Sequence, residues 1–201
     1  MIRAEIWSIC DQYQTALKPW HDAGYSVASI GIEDTSGSYP HIKARVQDIE
    51  TLNGARFVLA WPPCTHLAAS GGRWWARKGE QALREGLENV EQCRRLIGLS
   101  PGIIENPIGR LSTHWRKPDV IVQPWHFSGH APGCSYQKST CLWLMNSAKR
   151  PIMSVSDEPI DTKVIWHMSG QERSTGAGIK TPLGLAIGVY LANESLVRHG
   201  R

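Results

Sequence analysis

One cysteine and one glutamate of this chain sit in settings that suit covalent chemistry. Cys64 follows Trp61-Pro62-Pro63, and Glu105 is followed by Asn106-Pro107. Each comes directly after a short apolar run, Phe57 to Ala60 for the cysteine and Ile103-Ile104 for the glutamate. Two prolines end a strand, because neither can donate to a ladder and each restricts the residue before it. The thiol is thus delivered at a rigid corner, and small residues with Gly71-Gly72 after it let a loop close above it. A carboxylate directly after two isoleucines is costly unless it is paired or protonated. At the carboxyl ends of neighbouring strands, where open α/β sheets place their ligands, the pair would be a nucleophile with an acid opposite it. A core cysteine beside a tight turn and a helix-capping glutamate are the plainer alternatives.

Such a pair needs a sheet to hold it. Ala4 to Cys10 reads as a first strand, followed by the polar turn Asp11-Gln12-Tyr13-Gln14 and a short helix near Lys18 to Ala23 that stops at Gly24. Tyr25 to Ile32 is a second strand ending at Glu33-Asp34, and Ile42 to Val46 a third before Gln47-Asp48. Leu83, Leu87, Val90, Cys93 and Ile97 recur at steps of three and four, which predicts an amphipathic helix from Gly79 to Ile97. Val120 to Val122 and Cys141 to Leu144 add two strands, and Thr181-Pro182 opens a last helix. Strands alternating with helices imply an α/β fold with a mostly parallel sheet and helices on both faces, as one domain over residues 1–201.

Composition narrows the partners. The formal charge of +4 permits an anionic partner without requiring one. Arg73-Trp74-Trp75-Ala76-Arg77-Lys78 alternates basic and aromatic groups, so Arg73 and Trp74 could steer a phosphate and stack a base. Five cysteines at irregular spacings read as reduced thiols, which with no membrane span in view predicts a cytoplasmic protein. His126, His130, Cys134 and Cys141 have zinc-ligand types, but their spacing matches no compact pattern, and no metal is expected.

With these residues in view, the chain resembles the DNA cytosine-C5 methyltransferases, in the short form found in phage and prophage genomes. Pro62-Pro63-Cys64 resembles that family's nucleophile motif and Glu105-Asn106-Pro107 its Glu-Asn-Val motif. The segments from Tyr136 to Leu144 and from Gly178 to Gly188 are similar to its basic strand and its closing motif. The resemblance implies a Rossmann-like class I methyltransferase fold. It implies that Cys64 adds to carbon 6 of cytosine, that Glu105 holds or protonates ring nitrogen 3, that Asn106 orients the Pro62-Pro63 loop, and that Lys138 holds a phosphate or the base. S-adenosylmethionine would bind along Asp11, Gln12, Tyr13, Glu33, Asp48, Pro62 and Thr181, with Pro63 and Ser70 beside the substrate.

Two departures stand out. Gln14 falls where the family carries a glycine, and the ribose-binding acid falls at Gly31, with Glu33 or Asp34 as substitutes. Met145 to Gln171 is too short for a target-recognition domain that reads several base pairs. Weak sequence specificity is therefore expected, on DNA, on a free cytosine nucleotide, or on DNA presented by a partner protein. A decayed, non-enzymatic nucleotide-binding protein and a pyrimidine-modifying enzyme with another one-carbon donor are the competing readings.

Overall fold

A computed structural model describes residues 2–163 and 180–198. Seven strands form one sheet: β1 (Ile6–Ile9), β2 (Val27–Gly31), β3 (His41–Lys43), β4 (Phe57–Ala60), β5 (Gly102–Pro107), β6 (Val120–Val122) and β7 (Thr140–Met145). Their order is β3-β2-β1-β4-β5-β7-β6. β1 to β5 run parallel, whereas β7 is antiparallel to both β5 and β6. A parallel sheet reversed only at its next-to-last position is the Rossmann-like methyltransferase arrangement, the fold class expected from the sequence.

The strand composition explains the layering. β1 and β4 are buried at every position, so both of their faces must be covered. Trp7, Ile9, Val58 and Ala60 face α2 (Trp75–Ile97), which contributes Val90, Cys93, Leu96 and Ile97. Ile6, Phe57 and Leu59 face the other way, onto Trp20 of α1 (Lys18–Asp22) and onto Leu185, Val189 and Val197 of the C-terminal helix, Leu183–Arg198. Trp20 stacks on Phe57 with ring centroids 5.2 Å apart.

The observed boundaries refine the sequence reading. Gly79 has φ 72° and ψ −177°, which interrupts the helical path. The regular part of α2 therefore starts where the apolar periodicity starts, and Trp75 to Lys78 form a separate turn ahead of it. β3 ends at Lys43, and Val46, expected in the strand, lies in a 3-10 turn, Val46–Asp48. A larger difference concerns β5. Glu105 and Asn106 lie inside this strand rather than beyond its end, because β7 pairs with it as far as Pro107↔Thr140. Among the described residues no helix is long and apolar enough to cross a membrane. Gly178 and Ile179 of the expected closing motif, and the end of Met145 to Gln171, lie outside the described residues.

Candidate functional site

β4 stops at Ala60 while its neighbour β5 continues. The last registered pair is Ala60↔Ile104, so Glu105 emerges beside the turn that Pro62 and Pro63 create. The Cys64 carbonyl accepts the backbone N–H groups of Leu67 and Ala68, both at 2.9 Å, which closes a tight turn around the cysteine. Two further links fasten this turn to the segment after β5: Ala69 N–H to the Ile108 carbonyl and Arg110 N–H to the Leu67 carbonyl, both at 2.8 Å. A β-carbon at Gly109 would collide with the Leu67 carbonyl, so this close approach needs glycine. Asn106 adds a side-chain tie, donating from Nδ2 to the Pro62 carbonyl at 2.8 Å.

A cavity of about 1130 Å³ opens over the strand ends. Cys64 and Glu105 both line it, together with Pro62, Pro63, Ser70 and Lys138. Burial pushes the Cys64 thiol up from its ordinary value, and the Glu105 charge adds to the rise, while Lys138 and Lys78 oppose it. Burial likewise pushes the Glu105 carboxyl up, against Lys138 and the Thr140 hydroxyl. Both groups therefore hold their protons to higher pH than they would in water. Sulfur, carboxyl and ammonium form one electrostatic unit.

The other half of the cavity lies over β1, β2 and β3. Asp11, Gln12, Tyr13 and Glu33 line it, as do Thr181 and Pro182 on the far side. The Asp11 carboxylate organises its own turn, accepting from the Ser8 hydroxyl at 2.7 Å and from the N–H groups of Tyr13 and Gln14 at 2.9 Å. Ser8 in turn accepts the Trp61 indole N–H at 2.8 Å, which joins this turn to the Cys64 corner. Gln14, where the resemblance expects glycine, adopts φ of 57°, and Cys10 just ahead of the turn adopts 58°. The left-handed turn is present without its glycine, at a cost of about 1 kcal/mol for each such residue. Gln14 offsets part of that cost. Its amide donates to Ser29 Oγ and to the Tyr39 carbonyl and accepts the Tyr39 N–H.

Some expected residues stand elsewhere. Asp48 is exposed at the end of its 3-10 turn and off the cavity wall. Gln47, one residue earlier, takes the place on the wall and donates to Asn89 Oδ1 at 2.9 Å. The Val46–Asp48 turn causes this change, since a continued strand would have aimed alternate residues differently. Asp34 pairs with Lys43 at 2.9 Å, which leaves Glu33 as the acid on the wall after β2. Arg73 and Trp74 also lie outside the cavity, on the 3-10 segment Ala69–Trp74 whose first residues line it. There the guanidinium groups of Arg73 and Arg77 stand 5.2 and 5.8 Å from the Trp74 ring, which is 44% exposed. Asn106 is fully buried behind the wall and acts through Pro62.

The zinc-type residues do not converge. Among the described residues no three His, Cys, Asp or Glu side chains could hold a metal together. His126 packs edge-on against Trp125, His130 bonds the Ile152 carbonyl at 2.8 Å, and Cys134 packs beneath Gly184. Sequence reasoning missed Gln123 and Gln137, which line the cavity beside Lys138. The short strand Val120–Val122 ending at Gln123 was the available signal for the first of them.

No protein-family model matches the chain, and no curated protein matches it. Among solved structures, it is similar to the glycopeptide N-methyltransferase MtfA complexed with S-adenosyl-L-homocysteine. The identity is 8% and the TM-score 0.32, over 80% of this chain and 65% of that one. The chain thus spans less than two thirds of that enzyme's length. The fold assignment above rests on strand order and direction.

Proposed function

We propose that this chain is a cytosine-C5 transferase that uses S-adenosylmethionine, acting on DNA or on a cytosine nucleotide. One observation carries the reading: Cys64 and Glu105 share a cavity wall, from adjacent strands, with the Lys138 charge acting on both. Carbon 5 of cytosine is too weak a nucleophile to take a methyl group unaided. After its proton has passed to solvent, the Cys64 thiolate adds to carbon 6, and the ring's electron pair moves toward nitrogen 3, where Glu105 supplies a proton. Carbon 5 thereby gains enamine character. Once carbon 5 has bonded to the incoming electrophile, its own proton leaves to solvent, the Cys64 thiolate departs, the ring is restored, and the nitrogen 3 proton returns to Glu105. A carboxyl group whose hold on its proton is strengthened by burial suits that donor role.

The residues present fit the donor. Glu33 suits its ribose hydroxyls, the Gln47–Asn89 pair the adenine edge, and the Asp11-to-Tyr13 turn the amino-acid end. When bound, S-adenosylmethionine supplies the electrophilic methyl group. A base inside a duplex would have to be flipped out to reach Cys64. Asp48's distance from the wall favours a second reading, in which the same thiol and acid serve a different one-carbon donor.

Two measurements test this. Exchange of the cytosine carbon-5 proton with solvent, without any donor, requires only Cys64 and Glu105. Covalent trapping on a 5-fluorocytosine oligonucleotide requires a transferred group as well. Exchange and S-adenosylmethionine-dependent trapping, both abolished in Cys64→Ser, are expected. Exchange without trapping would favour the alternative donor, and neither would leave a binding protein.

A further inference from the structure

Gln123 directly follows β6 beside the loop that carries Lys138, and both ends of its carboxamide are committed to that loop. Its Oε1 accepts the Lys138 backbone N–H at 2.8 Å, and its Nε2 donates to Ser139 Oγ at 2.7 Å. Trp125 N–H to the Tyr136 carbonyl, at 3.3 Å, joins the same two stretches of chain again. Lys138 itself has a long stem, so its ammonium finds a fixed place only if its backbone is held. We propose that Gln123 is a positioning residue: by anchoring residues 137–139 it sets where the Lys138 ammonium stands relative to Cys64 and Glu105. This rests on the reading above only in taking Cys64 as the working thiol.

Three charged groups act on Cys64: Glu105 from β5, Lys138 from its loop, and Lys78 from the first turn of α2, before the break at Gly79. Lys78 is held separately, by the Thr65 carbonyl at 2.7 Å, and does not depend on Gln123. Of the two cations, Lys138 is the one that also acts on Glu105. Freeing the loop should therefore remove one of the two cations that favour the thiolate and leave the other.

The test is the pH profile of Cys64 alkylation by iodoacetamide, read by mass spectrometry of the Cys64 peptide in the full chain. In Gln123→Met, close in size but unable to make either bond, the midpoint should move to higher pH, in the direction of Lys138→Met. The rate at about pH 8 should fall roughly threefold to tenfold. Gln123→Met combined with Lys138→Met should shift no further than Lys138→Met alone. Ser139→Ala, which removes one of the two anchors, should shift part of the way and carries the test if Gln123→Met does not fold. An unmoved midpoint in the Gln123 or Ser139 variants, or shifts that add in the double variant, would overturn the proposal, since a purely structural role lowers stability without moving the profile. No substrate takes part. A protein that traps no cytosine but shows these shifts would lose the proposed function and keep this inference.

Discussion

Asn106 donates to the Pro62 carbonyl at 2.8 Å, while its own Oδ1, fully buried, has no hydrogen-bond partner among the described residues. One carboxamide therefore both stabilises and costs. Removing a buried partner leaves the Pro62 carbonyl unpaired, a loss of about 1–3 kcal/mol. Asn106→Ala also deletes the orphaned oxygen, which offsets much of that loss. Denaturant unfolding should show a fall of about 1 kcal/mol or less. Trapping on 5-fluorocytosine should slow by at least roughly tenfold, because the corner that aims the thiol has lost its tie. Equal changes in stability and trapping would mean that Asn106 serves packing alone.

Glu105 also affects the thiol by its charge. Above the pH at which it ionises, its negative charge disfavours a thiolate at Cys64, and burial of the sulfur adds to that effect. Glu105→Gln removes the charge and lowers the thiol's pKa. Alkylation of Cys64 at about pH 8 should thus be faster than in the wild type, by a few-fold to tenfold. Cytosine proton exchange should be slower in the same variant. Faster alkylation with slower exchange separates an acid from a spectator; slower alkylation would show that the charge does not face the sulfur.

The same carboxyl links stability to pH. Its folded value lies above the ordinary 4.5, so the folded state binds a proton more tightly than the unfolded chain does. Stability is then highest below 4.5 as far as this group is concerned, and it is lost as pH rises through the folded value. Glu105→Gln, which cannot ionise, should be more stable than the wild type at about pH 8, with the gap closing in acid. Denaturant midpoints at several pH values read this directly. A variant less stable at every pH would mean that the carboxylate is held by partners rather than stranded by burial.

Much of this site was legible in the sequence, for particular reasons. The Pro62-Pro63 pair ends β4 wherever it falls, so the position of Cys64 followed from backbone chemistry alone. Glu105 was legible as an acid near Cys64 and does line the same cavity, but it was misplaced at a strand tip, because its partner β7 arrives from 33 or more residues later in the chain and the ladder cannot be read locally. Asp48 failed for a related reason. A strand expected through Val46 turns into 3-10 geometry, which rotates Gln47 onto the wall. Gln14 is the instructive case. It falls where the resemblance expects glycine, yet its backbone adopts the left-handed conformation and its amide is buried in three hydrogen bonds.

The donor end offers a contrast between two acids. Glu33 lines the cavity, and Asp48 does not. Calorimetry with S-adenosylhomocysteine should show Glu33→Ala weakening binding by roughly tenfold or more, the loss of a charged hydrogen bond. Asp48→Ala should leave affinity within about twofold. The reverse pattern would place the nucleoside along the outer face of the Val46–Asp48 turn.

Whether the substrate is a polymer turns on residues outside the cavity. Trp74 is 44% exposed with the guanidinium groups of Arg73 and Arg77 at 5.2 and 5.8 Å from its ring centroid, and neither arginine forms an ion pair among the described residues. A partly solvent-facing indole with two cations beside it is suited to stacking a base and holding phosphates alongside. A free nucleotide seated on Cys64 lies within the cavity, whose wall does not include Arg73 or Trp74. A strand reaches beyond it, onto that platform. Arg73→Ala with Arg77→Ala should therefore weaken binding of a cytosine-containing single strand and lower its salt slope by about 0.7 for each phosphate no longer neutralised. Trp74→Ala should weaken the same binding by about 1–3 kcal/mol with little change in salt slope. Affinity for a cytosine mononucleotide should not move in either variant. If mononucleotide and strand respond alike, the platform belongs to the cavity's own ligand, and the polymer is not the substrate.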